Sequence, residues 1–67
     1  MKIKDRARFF RIYANLPFNI RNSEIIAVVG GEPFTWNAAR IEVENNTRKG
    51  EEILEKLIKL QIIKQDG

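Results

Sequence analysis

A chain of 67 residues with neither cysteine nor histidine must hold itself together by side-chain packing alone. A domain of this length buries only about 60% of the surface its unfolded chain exposes. Domains this small often add disulfides or a metal ion, and the missing Cys and His close both routes. Their absence also removes the commonest general base. The chain is expected to form one small domain over residues 1–67, to need no cofactor, and to hold no metal. Its core must come from the 43% of residues that are hydrophobic.

The longest apolar run, Ile25–Val29, is far short of the ~20 residues of a membrane span. No signal-peptide stretch follows Lys2 and Lys4. The expectation is a cytoplasmic protein with no membrane partner. Many Glu, Lys and Ile residues with no Cys suit a thermophile. The charges are segregated. Residues 1–21 carry six Lys or Arg against the single Asp5, whereas residues 22–55 carry seven Glu against three cations. A basic head and an acidic middle either mark an anionic partner or face each other within one fold or across a dimer.

Residues 4–15 have the spacing of a helix that is apolar on two sides. Ile3, Ala7, Phe10 and Ala14 form one stripe, and Phe9, Ile12, Tyr13 and Leu16 a second, roughly opposite. Lys4, Arg8, Arg11 and Asn15 fill one gap between them. Pro17 should end this helix, and 18–23 reads as irregular, with a turn at Asn22-Ser23. Residues 24–29 read as a buried strand closed by Gly30-Gly31, and Pro33 argues against a long return strand. Residues 35–46 fit a helix capped by Thr35 or an alternating strand; the Thr cap and the paired alanines favour the helix. Residues 48–60 form the clearest element, a helix capped by Thr47 with Ile53, Leu54, Leu57, Ile58 and Leu60 on one face. Continued, it would place Ile62 and Ile63 among charges, so Gln61–Lys64 should be extended.

The resulting fold class is α+β, a three-helix domain with a short two-stranded sheet in the order α-β-α-α-β. That order resembles a winged helix-turn-helix without a full wing. The resemblance rests on Leu54-x-x-Leu57 followed by Gln61-Ile62-Ile63, on a turn at Glu44–Thr47, and on a short strand at 24–29. It implies that Gln61–Lys64 is the second strand and that the 48–60 helix stands in the recognition position. That helix exposes Glu51, Glu52 and Glu55, which a phosphate backbone disfavours.

No constellation for catalysis emerges. Ser23, Thr35 and Thr47 have no histidine to activate them. Glu42 and Glu44 lack a visible partner or pocket that would separate their pKa values. Gly30-Gly31 is followed by Glu32-Pro33, not by a helix start able to cradle phosphate. The protein is therefore expected to be non-enzymatic, with no small-molecule substrate, and two kinds of partner are expected. The first is a protein, either a second copy in a homodimer or another chain, met by Phe9, Ile12, Tyr13, Leu16 and Phe18 on the first helix and just beyond it. The second is nucleic acid, with Lys4, Arg6, Arg8 and Arg11 on phosphates and an aromatic beside them. Trp36 reads as core.

Overall fold

The computed structural model describes residues 3–64. Its elements are α1 (Ile3–Ala14), α2 (Phe18–Ser23), β1 (Ile25–Val29), β2 (Glu32–Thr35), α3 (Trp36–Glu44) and α4 (Arg48–Lys59). The fold is α+β with one two-stranded antiparallel sheet, β1-β2. Its order is α-α-β-β-α-α, so the second strand lies at 32–35 and not at 61–64.

The hairpin is local because Gly30 and Gly31 both take positive φ, +61° and +82°. That pair of angles suits the two-residue turn whose twist matches the strands. Val29 pairs with Glu32 at the turn and Val28 with Pro33 next to it. Antiparallel pairs alternate between hydrogen-bonded and open. The pair closing a two-residue loop is bonded, so Pro33 falls at an open one, where its missing N–H costs no ladder bond. Proline thus shortens β2 without abolishing it. A bulge between Ile25 and Ala27 turns two consecutive residues, Ile26 and Ala27, toward the core.

Residues 18–23 are helical where the sequence suggested an irregular stretch. Pro17 starts this turn, its carbonyl accepting from the Ile20 and Arg21 amides. Ser23 and Asn22 donate back to the carbonyls of Asn19 and Phe18. The same side-chain bonding makes these residues read as turn formers, which explains the missed helix.

Both expected threonine caps form. Thr35 Oγ1 accepts from the Ala38 amide at 3.2 Å, and Thr47 Oγ1 from the Gly50 amide at 3.0 Å. Residues 35–46 are thus resolved as a helix. Between α3 and α4, Asn46 sits at φ +58°, its amide bonded to the Val43 carbonyl and that of Thr47 to the Glu42 carbonyl. This Schellman closure satisfies carbonyls that a helix end leaves open. Thr47 also donates to the Glu42 carboxylate at 2.8 Å. One residue therefore finishes α3 and starts α4.

A second Schellman closure ends α4. The Gln61 amide bonds to Ile58 and that of Ile62 to Leu57, each at 2.9 Å, with Gln61 at φ +62°. It reverses the chain, so Gln61–Lys64 forms a turn and not the extended strand expected there, and it drives Ile63 into the core at 1% exposure.

The core gathers Phe9, Ile26, Phe34, Trp36, Val43, Ile53, Leu54, Leu57 and Ile63 with small residues between them. Where α4 crosses α3, Gly50 leaves no room for a side chain: a Cβ there would lie 2.5 Å from the Glu42 carbonyl oxygen.

Three substitutions test these joints by thermal or urea unfolding. Gly50→Ala should destabilise although alanine is the better helix former, because the obstacle is backbone and the helices must move apart; a cost of about 1–3 kcal/mol follows. Thr47→Ala should cost about 1–2 kcal/mol as a lost cap. Gln61→Gly should stabilise by about 0.5–1 kcal/mol, since only glycine enters the left-handed region without steric cost.

Candidate functional site

Helix α1 carries every candidate residue except Leu16 and Phe18, so its rotation about its own axis decides what the protein offers a partner. Phe9 is wholly buried, with ring centres 5.5 Å from Trp36, 5.4 Å from Phe10 and 6.4 Å from Tyr13. Ile12, Tyr13 and Leu16 are half-buried and pack on the same core. The stripe read from the sequence as partner-facing is thus the inward one. Phe9 is core and offers nothing to a second molecule. Of those five residues only Phe18 is well exposed, at 77%.

Two polar links fix this orientation. Near the end of α1, the Tyr13 hydroxyl donates to Asn37 Oδ1 at 3.3 Å. Near its start, Arg6 Nη2 donates to the Val43 carbonyl at 3.1 Å, with the Glu44 carbonyl at 3.5 Å. Since Asn37 opens α3 and Val43 nearly closes it, the two helices run antiparallel. Arg6 adds a cation to the negative end of α3, where a guanidinium is favoured. Its Cζ also lies 5.8 Å from the Phe10 ring centre.

The basic residues therefore divide. Arg6 is part-buried against α3, and Arg8 donates to the Lys64 carbonyl at 2.6 Å, holding the tail against α1. Lys4 and Arg11 are exposed. Lys2, at the margin of the basic stripe, lies outside the described residues. Asp5, the one acid of α1, is buried at 6% exposure in the first turn, where the helix dipole favours a carboxylate. Arg6 thus brings the basic head onto the acidic middle through backbone carbonyls of α3.

What α1 turns outward is the other stripe. Ile3 is 83% exposed, Ala7 and Ala14 are exposed, and Phe10 is half-buried at the edge. The four are spaced by four, three and four residues, the a/d spacing of a helix that pairs with another helix. Periodicity showed both stripes; what it lacked was the sign. Aromatic bulk was the available signal, since a small core needs its largest side chains, and Phe9, Tyr13 and Leu16 outweigh Ala7 and Ala14.

Tyr13 also lies between two guanidiniums, Arg21 at 4.5 Å and Arg40 at 5.9 Å from its ring centre. Both have other partners. Arg21 donates to the Ala14 carbonyl at 3.2 Å and Arg40 to Glu44 at 2.7 Å. The Glu44 hydrogen bond raises the Arg40 pKa, and the pair braces the last turn of α3. Glu42 and Glu44 diverge, one to Thr47 and the other to Arg40. On the far side Lys49 pairs with Glu32 at 2.8 Å, and that hydrogen bond raises the lysine pKa. The pair joins the start of α4 to the hairpin. Trp36 is buried, its Nε1 donating to Glu24 at 3.3 Å.

Among the described residues no group of three or more acidic side chains is placed to hold a metal ion, and no helix is long and apolar enough to cross a membrane. No family model, curated protein or solved structure matches the chain.

The two faces of α1 should respond oppositely to substitution. Phe9→Ala should cost about 3–5 kcal/mol, enough to unfold much of a domain this small. Ala7→Gln or Ala14→Gln should shift stability by no more than about 0.5 kcal/mol. Urea unfolding followed by Trp36 fluorescence checks both.

Proposed function

We propose that this protein is a small non-enzymatic interaction module that receives a helix on the outward face of α1. The observation that supports this reading is the exposed stripe Ile3, Ala7 and Ala14, with Phe10 at its edge, in helix-pairing spacing. Within the domain only Phe10 of this stripe packs on the core, and Ile3, Ala7 and Ala14 stay exposed while Phe9, Ile12 and Tyr13 supply most of the contacts of α1. The two alanines let a second backbone come close, at the 8–10 Å typical of packed helices. The area is small, so the complex belongs among weak, reversible ones.

The alternative, nucleic-acid binding through Lys4, Arg6, Arg8 and Arg11, has less support. Arg6 and Arg8 already hold internal carbonyls, and the outward face of α4 carries two carboxylates, Glu52 and Glu55, between Arg48 and Lys59. A phosphate-tracking surface needs an unbroken run of cations.

The test is a titration of the isotope-labelled protein with a helical peptide that has leucines at heptad spacing and uncharged glutamine flanks, followed by amide chemical shifts. Shifts confined to Ile3, Ala7, Ala14 and their neighbours are expected, and Ala7→Gln with Ala14→Gln should abolish them without changing the far-UV spectrum. Shifts scattered over the hairpin or α4, or none at millimolar peptide, would overturn the reading.

A further inference from the structure

The hairpin offers a second surface that the α1 reading does not use, the outer edge of β1. Val28 and Pro33 form an open pair, so the main-chain groups of each point away from the other strand. On the β2 side that outward position holds a proline, which has no N–H to offer. On the β1 side it holds Val28, whose N–H and C=O both point out. Among the described residues β1 pairs with β2 alone, and no turn or loop backbone bond reaches Val28. One edge of the sheet is guarded and the other is open. We propose that β1 pairs antiparallel with β1 of a second copy across a two-fold axis at Val28, giving a four-stranded sheet in the order β2-β1-β1-β2.

Two independent features choose that register. The first is hydrogen-bond phase: an axis at Val28 makes it a bonded pair with its own copy, each N–H donating to the other carbonyl. The second is the direction of the side chains. Ala27 is buried, Val28 is 51% exposed, and Val29 turns in again. Side chains paired across strands share a face. With the axis at Val28, the two Val28 side chains meet on the outer face and Ala27 meets Val29 on the inner. A slip of one residue would set Val28 against Ala27 or Val29, on opposite faces. Beyond the axis, Ile25 of the second copy runs beside the turn, where Gly30 and Gly31 have no side chain and open space around them. The segment Ile25–Val29 carries no charge, so two copies meet without the like-charge repulsion that guards many edges. A strand of another protein could use the same main-chain groups, but this segment gives it no charged side chain to be recognised by. A copy needs none, because bond phase and side-chain face already agree. The bulge between Ile25 and Ala27 ends regular pairing on that side. The contact is therefore short, and the dimer belongs among the weak ones.

The unaltered chain is followed by sedimentation velocity and by amide hydrogen exchange from about 20 μM to about 1 mM, the range over which a weak dimer assembles. Passage from monomer to dimer is expected. Over the same range, exchange at the Val28 amide should slow by about fivefold or more, and that at Val29, whose amide is already bonded to β2, should change far less. Val28→Lys, its fold checked by circular dichroism, should stay monomeric at about 1 mM, because it sets two ammonium groups on the axis. Ala7→Gln with Ala14→Gln should leave the dimer intact, since the α1 face takes no part in it. A monomer throughout, or a dimer that leaves Val28 exchange unchanged, would overturn the proposal and leave the α1 reading untouched. A dimer abolished by the α1 double substitution and not by Val28→Lys would overturn it too, and would place self-association on α1. Exchange in the unaltered chain decides the matter even if Val28→Lys fails to fold.

Discussion

Backbone meets backbone where α4 crosses α3, at Gly50 against the Glu42 carbonyl, and the rest of the domain is arranged around that contact. Helices usually pack 8–10 Å apart because side chains hold them there. With no side chain at Gly50, α3 and α4 come together closely enough for Val43 to meet Ile53, Leu54 and Leu57 in one core. Thr47 makes the approach reproducible, since it caps α4, closes α3 and binds the Glu42 carboxylate. A 67-residue chain with no covalent cross-link depends on such joints, because no other constraint fixes the angle between its helices.

The hairpin and α1 complete this pair. The hairpin contributes Ile26, Ala27 and Phe34, and the Lys49–Glu32 pair ties its turn to the start of α4. Helix α1 contributes Phe9 and is fastened antiparallel to α3 through Arg6 and Tyr13. The basic head is thus partly structural, with guanidiniums completing the hydrogen bonding of a helix end and of the tail. An arginine so placed is a poor phosphate ligand, since binding one would free carbonyls that need a donor. What α1 leaves exposed is its outward stripe, Ile3, Ala7 and Ala14 with Phe10 at the edge.

Much of this was legible in the residues. Thr35 and Thr47 announced two helix starts because a hydroxyl before an apolar-periodic run has one common use. As elements, the strong amphipathy of 48–60 and the β-branched run at 25–29 were equally plain. Composition suggested a strand buried on both faces, but it is an outer strand of a two-stranded sheet and leaves Ile25 and Val28 exposed. The misses have physical causes. Pro33 is a strand breaker only where its N–H is needed, and pairing register, which composition does not reveal, put it at an open position. Asn22 and Ser23 bond to nearby carbonyls in a turn and in a short helix alike. Gln61 takes the left-handed conformation that usually announces itself as glycine, so the reversal after α4 looked like a strand. For the site, both stripes of α1 could be read from their spacing. Which of them faced inward depended on contacts with Trp36, Asn37 and Val43, all more than twenty residues away along the chain.

The rotation of α1 decides which stripe a partner can reach, and its direct measurement is solvent paramagnetic relaxation of the free protein with a neutral gadolinium chelate. Strong relaxation at Ile3, Ala7 and Ala14, with protection at Phe9 matching that at Ile53 and Leu57, is the predicted result. Protected alanines with a strongly relaxed Phe9 ring would mean that α1 is turned by half a revolution, and would contradict the account.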